Sequence, residues 1–325
     1  MNVRRTAFSR GTRAGAGLTA ALMTAAALLL GGCSGGSASS TGVPGAPGSG
    51  GGSRSTAAAG AVDGLVAEEQ PASAALMPSG STAAKIRSRG ALVVGGTRTA
   101  ALFSLLDPTT GRVDGFDAAM SQLLAKYIIG RPATKLVDVT SATREALLRS
   151  HQVDTVFATY TITPERAEVV AFAGPYYEDG LAIEVRKSGK ALSSPEDLAG
   201  RTVVTQSGST AAAAVKKAAP GAKIQLFDTN TECLQALQQG RADAYVLDQG
   251  ILAGNAARNP DVTVSGRTFS QEPYGIGLPL GDPGFKHFVD DWLRKIESDG
   301  TWAKVWRATV GTEVPGAAPA PPRID

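Results

Sequence analysis

The 325-residue chain is poor in the side chains that catalysis and metal binding use most often. It has two histidines, His151 and His287, and two cysteines, Cys33 and Cys233, all far apart in sequence. That excludes a His/Cys zinc cluster, and so few cysteines build no disulfide framework. There is no nucleophile elbow and no P-loop, and the stretch Gly275-Ile276-Gly277 lacks the helix and third glycine of a dinucleotide site. Excess charge is missing too. The formal +3 arises from Arg4, Arg5, Arg10 and Arg13, which leave 28 basic against 29 acidic residues when set aside. A near-neutral body gives no case for nucleic acid or for a polybasic membrane patch. No residues point to a cofactor, a metal or a catalytic group.

What is present begins with an export signal. A basic start from Arg4 to Arg13 precedes an apolar stretch, Leu18 to Leu30, of about thirteen residues. A spanning helix needs ~20 residues, so this length suits a signal-peptide core. The stretch ends in Leu30-Gly31-Gly32-Cys33, which resembles the bacterial lipobox, where the cysteine is lipidated and becomes the new N-terminus. The Arg4-Arg5 pair leaves the export route, general secretory or twin-arginine, open. From Ser34 to about Gly60 the chain is Gly, Ser, Ala, Thr and Pro with almost no charge, a composition that cannot offset its ordering entropy and predicts a flexible tether. Residues 61–80 are transitional, and Pro315–Pro322 reads as an extended Pro/Ala-rich tail.

Between them, short β-rich runs alternate with helical stretches, which predicts an α/β fold with mostly parallel sheets. Strands are expected at residues 91–95, 136–139, 155–158, 202–205, 223–227, 244–247 and 274–278, with a hairpin over 103–113. Helices are expected at 117–129, 142–150, 209–219, 231–239 and 285–298. The last carries Phe288, Val289, Trp292, Leu293 and Ile296 on one face.

The order of these elements, with six motifs, resembles the polar amino-acid-binding proteins of ABC importers, nearest the actinobacterial glutamate/glutamine-binding lipoproteins. The motifs are GFDAAM from Gly115, VDTVFATYTITPERAEVVAFAGPYY from Val153, SGST from Ser207, RADAYVLD from Arg241, PYGIGL from Pro273 and SDGTW from Ser298. The resemblance implies a two-lobe periplasmic-binding-protein fold with the ligand cleft between the lobes and two crossover strands, matched here by 181–185 and 274–278. It divides the chain into a signal peptide (1–32), a lipid-anchored tether (33–80), a first lobe (81–184 and 275–310), a second lobe (187–272) and a tail (311–325).

An amino acid brings a carboxylate and an ammonium, and a dry cleft must supply opposite charges and hydrogen bonds. The resemblance implies that Arg166 grips the α-carboxylate with its planar fork. By itself Arg166 reads as an exposed helix arginine. The resemblance makes Thr159 and Thr161 hydrogen-bond partners, where threonines otherwise form turns. Ser209 and Thr210 belong to an anion seat at a helix start. Asp248, on the residues alone a helix cap, is matched to the acid that pairs with the ammonium. For the ligand side chain the candidates are Arg144, Arg98 and Phe103, each with a solvent-exposed or core reading of equal standing. Arg144 opposes the helix dipole in its first turn, which a ligand carboxylate would justify. Two arginines favour glutamate, then aspartate or glutamine. Val204 replaces a cysteine common in relatives, so Cys233 is expected as a free, buried thiol, and Ala119 replaces an acid of the GFD motif. The expectation is a monomeric, lipid-anchored, extracytoplasmic binding protein delivering its ligand to an ABC permease. A sensor lipoprotein signalling to a membrane partner is the alternative, and an enzyme on the same fold a remote one.

Overall fold

Alternation of β-rich and helix-forming runs produces two separate sheets rather than one. The structure, a computed structural model, describes residues 50–314 and 316–324, with side chains from Ala58 onward. The expected signal segment and Cys33 lie outside the described residues. Helices α1 (Gly50–Glu68) and α2 (Thr82–Arg89) precede strand β1 (Leu92–Gly96). A small antiparallel sheet follows, made of β2 (Thr99–Ala100), β3 (Ser104–Leu106) and β4 (Val113–Asp114). Then come α3 (Phe116–Ile129), β5 (Thr134–Asp138), α4 (Arg144–Arg149), β6 (Thr155–Val156), α5 (Pro164–Ala167) and β7 (Ala171–Asp179).

After Gly180 the chain enters the second sheet with β8 (Leu181–Arg186), β9 (Thr202–Gln206), α6 (Thr210–Ala218) and β10 (Lys223–Phe227). It continues through α7 (Asn230–Gln238), β11 (Ala244–Asp248), α8 (Gln249–Arg258) and β12 (Val262–Ser265). β13 (Glu272–Leu278) returns to the first sheet, and α9 (Pro283–Ser298) and α10 (Thr301–Ala308) close on it.

The sheets have matching plans: β5-β1-β6-β13-β7 in the first lobe and β10-β9-β11-β8-β12 in the second. In each, four strands run one way and a single strand, β13 in the first and β8 in the second, runs against its two neighbours, so the sheets are mixed but mostly parallel in direction. The expected crossover strands need correction. β8 pairs only within the second sheet and β13 only within the first, where it runs beside β7 from Glu272 to Leu278. The crossings are instead the Asp179–Gly180–Leu181 link and residues 266–271 between β12 and β13.

The expected tether over 33–80 also differs from the structure at its C-terminal end. Residues 58–66 (AAGAVDGLV) combine helix-forming alanines with Val62, Leu65 and Val66 at i, i+3 and i+4, an apolar stripe that a tether would leave in water. Val62 and Val66 are buried on the core of the first lobe, and Asp63 forms a bidentate pair with Arg112 at 2.8 and 3.0 Å. The tail carries no helix or strand over 316–324, yet Val314, Ala318 and Ile324 pack against the core. Cys233 is free and buried, and burial pushes its thiol up to about 12.

Candidate ligand-binding site

The C-terminal ends of β6 and β11 bring the charged residues of the motifs to the boundary between the lobes. In the first lobe, β6 runs into Ala158–Thr161, where Thr159 takes a left-handed backbone with φ of 43°. Asp117, in the first turn of α3, pins this bend: its carboxylate accepts from the Thr159 N–H at 2.8 Å and from the Tyr176 hydroxyl at 2.7 Å. Burial pushes the Asp117 carboxyl up to about 6 despite those two bonds. Thr163 then caps α5 by accepting from the Arg166 N–H at 3.3 Å, with Pro164 at the first helical position. The cap orients Arg166 inward rather than into solvent.

Two guanidiniums therefore meet on one aromatic ring. Arg144 stands 3.9 Å from the centroid of Tyr160, and Arg166 stands 5.2 Å from it. Arg144 is 2% exposed, donates from Nη1 to the Ala158 carbonyl at 2.7 Å, and has a buried Nε without a partner. Burial first, and the neighbouring Arg166 second, lower its pKa to about 10, so it remains cationic at neutral pH. Arg166 donates to the Thr161 carbonyl at 2.8 Å and across the lobe boundary to the Gly208 carbonyl at 2.9 Å, while Glu145 lies 3.7 Å from its Nε.

The second lobe contributes the SGST turn and Asp248. Gly208 has φ of +73°, and a Cβ there would lie 2.8 Å from the Ala142 backbone of the first lobe, so only glycine admits this approach. Ser209 is the N-cap of α6, but its Oγ turns back to the Gln206 carbonyl at 2.7 Å. Thr210 donates to Glu272 Oε2 at 2.8 Å. Asp248 ends β11 buried, with Oδ1 lacking any partner. Burial first, then the nearby carboxylates Asp179 and Glu272, push its carboxyl up to about 8. Tyr274 donates to Asp179 Oδ2 at 3.1 Å, completing an acidic corner beside the two crossings.

A cavity of about 50 Å³ lies beside these groups on the lobe boundary; Ala158, Thr159 and Gln206 reach it, whereas Arg144, Arg166 and Asp248 do not line it. Its walls include Thr97, Thr99, Thr140, Ser141 and Thr159 from the first lobe and Gln206, Asp228, Thr229 and Ile251 from the second. Asp138 and Asp228, both exposed, stand at its rim.

Residues 92–310 match the model of the bacterial extracellular solute-binding proteins, family 3. The chain belongs to this family. Among curated relatives, it is 40% identical to the glutamine-binding protein of Geobacillus stearothermophilus over 198 residues, 60% of this chain and 75% of that protein. It is 31% identical to the glutamate-binding protein GluB of Corynebacterium efficiens over 213 residues, 62% of this chain and 72% of that protein. Among solved structures, the arginine-bound form of truncated ArgBP from T. maritima is 36% identical with a TM-score of 0.62, covering 66% of this chain and 99% of that one. The relatives of this family-3 chain are thus amino-acid-binding proteins, and the two-lobe fold is theirs as well.

Of the residues singled out in the sequence, Arg144, Thr159, Thr161 and Arg166 gather around Tyr160. Thr210 and Asp248 gather in the acidic corner, and Ser209 caps α6 between the two groups. Arg98 does not join either group: it is exposed, next to the cavity residues Thr97 and Thr99. Phe103 is wholly buried in an aromatic cluster with Phe116, Tyr177 and Tyr274, so its ring is core rather than cavity wall. Sequence reasoning missed Asp117, Tyr160, Asp179 and Glu272. Asp117 and Tyr160 sit inside the GFD and ATYTIT motifs, so a signal existed for them; Asp179 and Glu272 meet only through the β7–β13 register.

Proposed function

We propose that the protein captures a free amino acid outside the cytoplasmic membrane, glutamate first and then aspartate or glutamine, by closing its lobes on it. Delivery to an ABC permease follows in this reading, with the chain held at the membrane through a lipid on Cys33. One observation carries the reading: the first lobe holds two buried cations, Arg144 and Arg166, near the lobe boundary, and the second holds Asp248, buried with its Oδ1 unpartnered. Arg166 is then the partner of the α-carboxylate, which would take the place of the Gly208 carbonyl on its Nη2. Asp248 is the partner of the α-ammonium, whose charge keeps the Asp248 carboxyl ionised on binding. Thr159, Thr161 and the first N–H groups of α6 supply hydrogen bonds.

The ligand side chain meets opposing fields, from Arg144 on one side and from Asp138 and Asp228 on the other. Arg144 is buried, where a charge is weakly screened, whereas both aspartates are exposed to water and counterions. The arginine therefore dominates and favours an acidic side chain. A cavity of about 50 Å³ is far smaller than an amino acid, so entry requires the lobes to part. Calorimetry of the full-length chain against glutamate, aspartate, glutamine and asparagine tests the reading. Heat is expected with glutamate, and Arg144→Ala should weaken glutamate far more than glutamine. No heat with any of the four would remove the acidic reading, and equal losses would remove Arg144 from the side-chain subsite.

A further inference from the structure

Lobe closure needs contacts of its own besides those to the ligand, and one such contact is prepared in an unusual way. Asn230, the first residue of α7, is 4% exposed and uses every hydrogen-bonding position of its amide. Its Oδ1 accepts from the Tyr245 hydroxyl at 3.0 Å and from Asn255 Nδ2 at 3.0 Å, while its Nδ2 donates to Asn255 Oδ1 at 2.9 Å. The remaining N–H crosses the lobe boundary and donates to the Thr99 carbonyl at 2.8 Å. Thr99 belongs to β2 and lines the cavity. Three of the four bonds thus lie inside the second lobe and fix the amide, and only the fourth depends on where the first lobe stands.

A second observation places the same boundary under steric control. On α8, which carries Asn255, Gly250 and Gly254 are one turn apart and face the segment between β2 and β3. A Cβ on Gly254 would lie 2.6 Å from Ala101 Cβ and 2.9 Å from Leu102 Cγ. A Cβ on Gly250 would lie 2.7 Å from the Phe103 ring. Neither glycine has a left-handed backbone, so the helix itself does not require them. What requires them is the approach of the other lobe.

We propose that Asn230 is a positioning residue that latches the closed state through the Thr99 carbonyl, with the glycine face of α8 shaped to let the latch engage. The amide is pre-organised in the second lobe, so closure gains a hydrogen bond without ordering a side chain at that moment. The latch favours the closed arrangement whether or not a ligand is bound, and raises affinity by favouring the state that holds it. This goes beyond the amino-acid reading, because it concerns the lobe boundary and not the ligand contacts.

The test uses spin labels at Lys85→Cys on the first lobe and Lys217→Cys on the second, both exposed positions, in a full-length chain carrying Cys33→Ser; Cys233 is buried and stays unlabelled. Without added amino acid, the parent chain is expected to show a closed interlobe distance. Gly254→Ala should lose that distance while its melting temperature stays level or rises, since alanine favours the helix. Asn230→Asp, which replaces the donor by a second acceptor facing Thr99, should also lose it. With glutamate, aspartate or glutamine added, Kd should rise about tenfold in each variant, with the change in the dissociation rate. Equal distance distributions for the unliganded parent and Gly254→Ala would overturn the latch, as would a Kd within twofold of the parent in both variants. If the variants open the unliganded chain but no amino acid closes them again, the latch stands and the amino-acid reading fails.

Discussion

The two lobes share one sheet plan but are filled differently, and the difference separates the lobe that is built to hold from the lobe that is built to respond. The first is filled by interlocking aromatics: Phe116 lies edge-on to Trp302 at 5.7 Å and stacks on Tyr176 at 6.2 Å. Trp302 also donates its indole N–H to the Tyr176 carbonyl at 2.7 Å. Among the described residues, every aromatic pair falls in this lobe or on β13. The second lobe is filled by aliphatic side chains such as Val203, Val204 and Leu237, around a buried polar group of Asn230, Tyr245, Asn255 and Glu184. Aromatic interlocking gives stiffness that is indifferent to charge, whereas a buried polar group couples the second lobe to protons and to its neighbour.

The largest effect should come from removing the buried partners of the ligand's α-carboxylate and α-ammonium, one on each lobe. Arg166→Ala and Asp248→Ala should each cost about 2–5 kcal/mol of binding, enough to abolish detectable heat in calorimetry. Micromolar binding by either variant would break the pairing of the lobes across the cleft. Next in size is the aromatic core. Trp302→Ala should cost about 3–5 kcal/mol of stability in denaturant unfolding, and Leu237→Ala in the second lobe less, toward the lower end of about 2–5 kcal/mol. Equal losses would remove the contrast between the two fillings.

A proton-linked effect of a few kcal/mol should be larger in the second lobe, where the Glu184 carboxyl is raised to about 8, than in the first, where that of Asp117 is raised to about 6. Burial, with a smaller contribution from Asp261, pushes the Glu184 carboxyl up to about 8 from an ordinary 4.5, against an opposing bond from Asn255. The unfolded chain ionises this group near 4.5, while the folded chain holds the proton until about 8. Its contribution is therefore complete below the lower value and is lost as pH rises through the upper one. Glu184→Gln should flatten the fall in stability between pH 5 and pH 8, measured by melting across that range. An unchanged slope would mean that Glu184 is not the proton-sensitive group of the second lobe. The smallest effect belongs to the Asp63–Arg112 pair, which is half exposed on both sides. Arg112→Ala should cost no more than about 1 kcal/mol. A larger loss would mean that α1 is held by this pair rather than by Val62 and Val66.

Much of this contrast was legible in the sequence, for reasons that are local. β-Rich runs between helix caps gave most strands and helices, and the spacing of Phe288, Val289, Trp292, Leu293 and Ile296 marked the buried face of α9. Arg166 was recognisable because its motif has a particular order. Its burial was not, since that depends on the Thr163 cap turning it inward. Arg98 and Arg144 look alike as sequence, yet one is exposed and the other is covered by Tyr160, a contact made through folding alone. The crossings were misplaced because a buried strand reads the same in either sheet. Residues 58–66 were read as tether because small residues suit both a linker and a helix, and only the surface they cover decides.

The position of β13 bears on the order in which the molecule can be assembled. In the first sheet this strand lies between β6 and β7, although it follows them by almost a hundred residues and the whole of the second lobe intervenes. The second lobe is one continuous stretch, so it can complete its sheet as soon as β12 has emerged. The first lobe must wait with a gap in the middle of its sheet until the chain comes back. Closing that gap is a long-range step that carries a large loop entropy. Pulse-labelled hydrogen exchange should find β9 and β11 protected before β6 and β7. The older half of the chain is then the last to become a finished lobe.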